Sequence, residues 1–117
     1  MIEKLNGVTL AVSDMAKSVR FYRDTLGLCL VYGNEESSFS TFDVGGIYLN
    51  LELREAVENG WGRTIFRVSH VDQLYTDLTR NGLKPEPPRD GSWGERYFHI
   101  RDPDGHELGM TMPIGRA

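Results

Sequence analysis

The chain has 117 residues and a mass of 13.3 kDa, enough for one domain with its own hydrophobic core and no disulfide or metal to support it. Its 13 Lys and Arg residues against 17 Asp and Glu give a net charge of −4, which excludes a protein-wide attraction to nucleic-acid backbones. A hydrophobic content of 39% excludes wholesale disorder, and no apolar run approaches the ~20 residues of a membrane-spanning helix.

The first residues and the cysteine content predict a cytoplasmic protein. Residues 1–12 carry an acid and an asparagine before any apolar stretch, so they do not resemble a secretory signal peptide. Cys29 is the single cysteine, so a disulfide within the chain is excluded. Its apolar neighbours, Leu28 and Leu30, predict a buried thiol, which is compatible with a reducing cytoplasm.

Two segments of the chain resemble each other at a spacing of 56 residues. Val8–Met15 and Thr64–Val71 each lead from a strand-like stretch into the start of a helix. Each helical stretch then ends at a Gly-Leu pair, at residues 27–28 and 82–83. We therefore predict two copies of one unit of about 55 residues.

The first copy predicts a strand, a helix and three further strands. Val8, Leu10 and Val12 alternate with their neighbours at period two, as in a strand. Apolar residues at helical spacing then predict a helix that ends at Gly27. The apolar face of that helix consists of Met15, Val19, Tyr22 and Leu26. The three strands that follow are predicted at Leu28–Tyr32, Phe39–Val44 and Ile47–Leu53.

The second copy predicts the same order of elements. Its helix has an apolar face formed by Val71, Leu74, Tyr75 and Leu78. Its later strands are predicted at Leu83–Pro85, Arg96–Arg101 and Glu107–Met112. A loop rich in proline covers residues 84–94, and the turn sequence of residues 102–105 joins the last two strands. The order βαβββ, repeated twice, predicts an α+β fold with helices on one face of a sheet.

Two groups of residues resemble the vicinal oxygen chelate superfamily, which contains glyoxalase I, extradiol dioxygenases, fosfomycin resistance proteins and bleomycin resistance proteins. The opening group consists of residues 12–14, 21–22 and 26–28, and the closing group is Asp102–Leu108. The resemblance covers about residues 5–113 and implies a single domain, 1–117, with units at about 5–55 and 61–113. It also implies that the two βαβββ repeats form a cupped mixed β-sheet, with the helices on the outer face and the ligand inside the cup.

The resemblance implies four positions at which metal-dependent relatives hold an ion. In this chain they are Gly7, Asn50, Arg63 and Gly109. Glycine has no donor atom, and a guanidinium group cannot lose its proton to bind a cation. We therefore expect no metal and no cofactor at these positions. This removes the support for metal-dependent glyoxalase, dioxygenase or fosfomycin-modifying chemistry.

A displaced metal site is the alternative, and it would support a metal-dependent lyase or dioxygenase. Strand alternation places Glu52, His99 and Glu107 on the face that would line the cup. One histidine with two carboxylates is a chemically sound ligand set. Three arginines of the same face would repel an ion and pair with the carboxylates instead. They are Arg63, Arg67 and Arg101.

The same face also predicts a pocket for a small organic molecule. Arginine binds carboxylate or phosphate groups in a two-point manner, and Trp93 and Tyr97 supply flat apolar walls. We expect an anionic, aromatic ligand, and Arg63 is the first residue to test because it occupies a metal-ligand position of the relatives. The candidate ligand-binding residues are Asn50, Glu52, Arg63, Arg67, Trp93, Tyr97, His99, Arg101 and Glu107.

The stretch Ser92–Phe98 is similar to bleomycin resistance proteins, the metal-free members that sequester a drug in a groove at a dimer interface. This similarity implies metal-independent binding of a small organic molecule, in the sheet cup or a dimer groove, by a cytoplasmic homodimer. No catalytic residue, nucleic-acid partner or membrane partner is expected.

Two further interpretations stay open from the sequence. The charges of an exposed sheet face could simply pair with one another, which would leave a structural dimeric module with a vestigial cup. Alternatively, His99 and Glu107 could form an acid–base pair for metal-free catalysis. His70 and His106 are expected to lie in solvent, in the first turn of a helix and in a turn.

Overall fold

The computed structural model describes residues 1–115, which divide into two compact units, Met1–Asn59 and residues 60–115. The last two residues of the chain, Arg116 and Ala117, lie outside the described residues. Each unit contains a strand, a helix and three strands, in that order, so the predicted α+β class with two βαβββ repeats is confirmed.

The elements have the following bounds. The first unit contains the strands β1 (Gly7–Val12), β2 (Cys29–Tyr32), β3 (Phe39–Val44) and β4 (Ile47–Leu53). The second unit contains β5 (Arg63–Arg67), β6 (Arg89–Asp90), β7 (Glu95–Arg101) and β8 (Glu107–Pro113). Helix α1 (Met15–Arg20) continues as a π-helical segment (Phe21–Thr25), and helix α2 is Val71–Arg80.

Each unit has its own four-stranded mixed sheet, and the strand order is the same in both. The first sheet has the order β1-β4-β3-β2, and the second has the order β5-β8-β7-β6. The first strand of each unit pairs in parallel with the last, and the other pairs are antiparallel. Gly7 therefore lies opposite Tyr48 in the first unit, and Arg63 lies opposite Glu107 in the second.

The core of each unit lies between the helix and one face of the sheet. The predicted strand alternation is confirmed at Leu49 and Leu51 in β4 and at Phe98 and Ile100 in β7, because all four side chains are buried. The alternation fails at the end of β4, where Leu53 is 44% exposed. The inward residues leave the opposite face of each sheet for polar and aromatic side chains.

The strand predicted at Leu83–Pro85 is wrong. The Leu83 amide donates to the Leu78 carbonyl at 3.1 Å and so closes the end of α2 instead of starting a strand. The prolines at residues 85, 87 and 88 have no amide hydrogen to give to a neighbouring strand. Pairing therefore starts after them, and β6 is only the two residues Arg89–Asp90.

Two further predictions about single residues are wrong. Cys29 is exposed, because it alternates with Leu30 on the edge strand β2 and points away from the helix-covered face. His106 is 1% exposed, although it follows a turn. The indole N–H of Trp61 donates a hydrogen bond to Nδ1 of His106 at 3.2 Å. None of the helices within residues 1–115 has the length and apolar content needed to cross a bilayer.

Candidate functional site

The open face of the second sheet carries a row of aromatic rings along β7. Tyr97 and His99 are two residues apart on this strand, so both side chains lie on the same face. Their ring centroids are 5.3 Å apart, and the Trp93 ring lies 5.1 Å from Tyr97 on the other side. The three rings form a continuous row in which each plane is tilted by 37° or 44° against the next, and their faces and edges offer contacts to an aromatic molecule.

A tight turn before β7 fixes the position of Trp93. The Gly94 amide donates to the Gly91 carbonyl at 3.3 Å, and Gly94 has a φ of +94°, which favours glycine. The indole ring lies directly on Gly91, where a Cβ atom would approach the ring to 2.5 Å. The indole N–H donates to Glu95 Oε1 at 2.8 Å. Trp93 thus keeps a defined orientation while 62% of the residue stays exposed.

Arg89 lies beside the central ring of this row. It pairs with Tyr97 across β6 and β7, and its Nε donates to the Tyr97 hydroxyl at 3.0 Å. Its guanidinium carbon lies 5.5 Å from the centroid of the Tyr97 ring, within the range of a cation–π contact. Arg89 therefore brings a positive charge to the edge of the aromatic surface.

These side chains surround an open depression of about 320 Å³, which we name the Trp93 pocket. Its lining includes Arg63, Ile65, Arg89, Trp93, Tyr97 and His99. Gly109 contributes to its floor, and a Cβ atom there would lie 3.4 Å from Ile65 Cγ1 and 3.5 Å from His99 Cδ2. The volume is at the lower end of the range known for small-molecule sites.

A cluster of charges around Glu107 borders the pocket. Arg63 lies opposite Glu107 across the β5–β8 pair, and its Nε donates to Glu107 Oε1. Arg101 Nη2 approaches Glu107 Oε2 at 3.4 Å, and His99 Nδ1 lies 3.9 Å from Oε1. The hydrogen bond from Arg63 lowers the pKa of Glu107 below its usual value. The carboxylate is therefore fully charged at neutral pH and shared between two guanidinium groups.

The surroundings of His99 favour the neutral form of its imidazole. Burial lowers the pKa of its imidazole below the usual 6.5. The charge of Glu107 opposes this effect, and three nearby guanidinium groups add to it. They belong to Arg63, Arg89 and Arg101.

In the first unit, the predicted site residues bind to their own neighbours. Asn50 Oδ1 accepts a hydrogen bond from the Thr41 hydroxyl at 2.7 Å, and Asn50 Nδ2 donates to the Thr9 hydroxyl at 3.3 Å. Glu52 forms an ion pair with Arg54 on the same side of the chain. These polar groups are therefore satisfied within the unit.

The structure brings some of the nine predicted residues together and leaves others apart. Four line the Trp93 pocket, namely Arg63, Trp93, Tyr97 and His99. Arg101 and Glu107 adjoin it through the charge cluster. Arg67 is exposed and outside the pocket lining, and Asn50 and Glu52 belong to the first unit. A role in ligand binding stays a prediction for all nine.

Sequence reasoning missed Arg89 as a lining residue. Arg89 falls within the predicted proline-rich loop, since a strand of two residues leaves no alternation to detect. The signal that could have found it is its place directly after Pro87 and Pro88, where the chain regains an amide hydrogen for pairing.

The displaced metal site finds no support among the described residues. His99 and Glu107 do lie near each other, but Glu52 is paired with Arg54 in the first unit. Within residues 1–115, no three His, Cys, Asp or Glu side chains are grouped closely enough to hold a metal ion.

Comparison with known proteins now identifies the family. Residues 4–110 match the model of the Glyoxalase/Bleomycin resistance protein/Dioxygenase superfamily. The chain belongs to this superfamily. The resemblance predicted from the sequence is therefore confirmed.

Individual relatives within the superfamily differ in what is known of them. The chain is 36% identical to the uncharacterized protein YraH of Bacillus subtilis, over 90% of this chain and 94% of YraH. It is 32% identical to the metallothiol transferase FosB of Staphylococcus haemolyticus, over 92% of this chain and 82% of FosB. The solved structure of a lactoylglutathione lyase from Agrobacterium tumefaciens matches with a TM-score of 0.81 at 20% identity, over 96% of this chain and 95% of that one. This last likeness concerns the fold alone.

The residues at the metal positions implied by the superfamily do not fit a metal ion. Gly7 and Gly109 have no donor atom, and a Cβ atom at Gly7 would lie 2.7 Å from the Tyr48 carbonyl oxygen. Arg63 is a cation that donates to Glu107. The amide oxygen of Asn50 already accepts from Thr41. We therefore derive no chemical step through a metal at these positions.

Proposed function

We propose that this protein binds a small organic molecule in the Trp93 pocket without a metal ion, in the manner of sequestration by bleomycin resistance proteins. The observation that carries the proposal is the wall of three rings, from Trp93 to His99, above a depression with glycine on its floor. Flat rings around an open volume offer dispersion and stacking contacts to an organic molecule. The residues at the four metal positions of the superfamily are unsuited to binding an ion, and this supports binding without a metal.

The charge cluster supports binding over acid–base catalysis. Glu107 is tied to Arg63, and the resulting low pKa makes its carboxylate a weak base. His99 lies 3.9 Å from that carboxylate, which is beyond hydrogen-bond distance. The two groups therefore lack the contact by which one would orient or activate the other. We assign no catalytic residue.

A compound screen by thermal shift tests the proposal. The protein is treated with EDTA and its metal content is checked by elemental analysis, so that any stabilisation is independent of metal. We expect at least one organic compound to raise the melting temperature of the wild type under these conditions. The stabilisation should be lost in Trp93→Leu, which removes the exposed ring. It should persist in Tyr48→Leu, a matched change of an exposed aromatic residue in the first unit that lies outside the pocket lining and the β2 edge.

Two results would contradict the proposal. Stabilisation that Trp93→Leu leaves intact would place the ligand elsewhere. Stabilisation that needs added Zn²⁺, Mn²⁺ or Ni²⁺ would favour the metal-dependent alternative, to which the name of the FosB relative also points.

We also propose that the protein is a homodimer. Strand β2 forms one edge of the first sheet, and it exposes Val31 and Tyr32. Exposed edge strands with apolar side chains are normally covered or paired. Light scattering should give twice 13.3 kDa for the wild type, and Tyr32→Glu should shift the population toward the monomer. A monomeric wild type at high concentration would overturn this proposal.

A further inference from the structure

The second sheet holds more positive than negative charge around the Trp93 pocket. Its carboxylates there are Glu95 and Glu107. Glu107 is shared between Arg63 and Arg101, one at each carboxylate oxygen. Glu95 accepts the indole N–H of Trp93. Both acids are thus engaged, and neither is paired with the third guanidinium group of this region.

That third group is Arg89. None of the ion pairs formed within residues 1–115 includes it. Its Nε is fixed by the Tyr97 hydroxyl at 3.0 Å. No acceptor in the described part of the chain takes a hydrogen bond from its two terminal nitrogens. A guanidinium held at one edge and open at the other is arranged for two-point binding of an acidic group.

The geometry points to a ligand with a planar ring and an acidic group: the ring lies against Trp93 and Tyr97, and Arg89 binds the acid. This inference rests on the proposed small-molecule binding in the Trp93 pocket and names the class of ligand. The Trp93 N–H is already donated to Glu95, so Trp93 offers a ligand the exposed apolar surface of its ring. The distance of 5.5 Å between the Arg89 guanidinium and the Tyr97 ring places the acid beside the stacking surface.

The state of His99 agrees with this assignment. Burial lowers the pKa of its imidazole, and the surrounding guanidinium groups, Arg89 among them, lower it further against the opposing effect of Glu107. Three guanidinium groups against two carboxylates around the pocket favour an anion over a cation. The competing ligand class is a planar cation, which Glu95 would favour because its carboxylate also lines the pocket.

Three probes with the same ring and different charge test the inference: 1-naphthylacetate, 1-naphthylacetamide and 1-naphthylethylamine. Binding is followed by NMR through the indole N–H signal of Trp93, assigned with Trp93→Leu. We expect the acid to bind about tenfold more tightly than the amide or the amine, as for one good charged hydrogen-bonded pair.

Variants of the arginines separate the role of charge from that of the ring. Arg89→Gln should weaken binding of the acid about tenfold and leave the amide nearly unchanged. Arg89→Lys keeps the charge and should retain part of the preference for the acid, which controls for damage to the fold. Arg80→Gln removes an equal charge at an exposed position of α2 and should have no effect.

The outcomes distinguish this inference from the proposed function. If the amide or the amine binds as tightly as the acid, or if Arg89→Gln changes nothing, the acidic ligand class is wrong while binding in the Trp93 pocket stands. If none of the probes shifts the Trp93 signal, the inference is overturned, and the compound screen alone decides the proposed function.

Discussion

The two units have the same strand order, and their parallel strand pairs correspond residue by residue, yet matching places in the two sheets carry different side chains. In the first unit, Thr9 lies opposite Asn50, and Thr41 completes a hydrogen-bonded set that fills the face of the sheet. At the matching place of the second unit, Ile65 lies opposite Gly109, and neither residue has a side chain that can form a hydrogen bond. A duplicated fold thus carries a satisfied polar face in one copy and an open pocket in the other.

The carboxylates of the two units show the same contrast. Glu52 pairs with Arg54, two residues away in the chain, so this ion pair ties no strands together. Glu107 pairs with Arg63 on a neighbouring strand and with Arg101 on another. Glu107 therefore links neighbouring strands beside the pocket, whereas Glu52 of the first unit is paired within its own stretch of chain.

Removal of a large core ring has the greatest effect we expect, and it tests whether the units depend on each other. Phe42 is fully buried in the first unit and Phe98 is buried in the second. Phe42→Ala and Phe98→Ala should each lower the free energy of unfolding by about 3–5 kcal/mol, since each leaves a large cavity. Urea denaturation followed by circular dichroism should show one shifted transition in each variant, as expected of a single domain. Two transitions, one of them unshifted, would contradict that expectation.

The glycines at two metal positions of the superfamily should respond differently to the same added methyl group. A Cβ atom at Gly7 would lie 2.7 Å from the Tyr48 carbonyl oxygen, a backbone atom that cannot move away easily. A Cβ atom at Gly109 meets side chains at ordinary contact distances. Gly7→Ala should therefore cost about 1–3 kcal/mol of stability, and Gly109→Ala less than about 1 kcal/mol. Equal losses of stability in urea denaturation would contradict this expectation and show that Gly7 and Gly109 are packed equally tightly.

The features that sequence reasoning found depend on residues close together in the chain. Alternation at Leu49 and Leu51, helical spacing around Tyr22 and the turn of residues 102–105 each depend on neighbours a few residues away. The four metal positions could be assigned because the resemblance supplied their places. The fold class followed from these patterns in two copies.

The features that it missed depend on pairing across the chain. The pocket needs Arg89 beside Tyr97, and this register arises from a strand of two residues. The hydrogen-bond partner of the buried His106 is Trp61, 45 residues away in the chain. Cys29 lies between two leucines, but its exposure is decided by the edge position of β2. None of these partners is indicated by adjacent residues.

Neutralising the two carboxylates should sharpen the contrast between local and cross-strand ion pairs. Glu107→Gln removes a charged acceptor shared by Arg63 and Arg101, and we expect a loss of about 1 kcal/mol in the free energy of unfolding. Glu52→Gln removes an exposed ion pair with Arg54. We expect the free energy of unfolding to fall by less than the error of the measurement. Chemical denaturation of both variants at pH 7 provides the comparison. A larger loss for Glu52→Gln would mean that the first unit also depends on its charges.

The smallest effect we expect is a pH dependence that belongs to the second unit, which holds all three histidines of the chain. Burial lowers the pKa of His99 below 6.5 in the folded protein, so near that pH the unfolded chain binds more protons than the folded one. The stability that this group contributes is present above pH 6.5 and is lost as the pH falls through the folded value. Glu107 contributes in the same direction, but its pKa lies below 4.5, so its effect appears at lower pH.

Melting temperatures between about pH 5 and 7.5 should therefore fall less steeply toward acid in His99→Gln than in the wild type. His70→Gln, an exposed histidine at the start of α2, is the matched control and should keep the wild-type slope. A steeper fall of the melting temperature with pH in His99→Gln would mean that His99 gains a proton on folding. The negative charge near His99 would then outweigh the effects of burial and of the guanidinium groups.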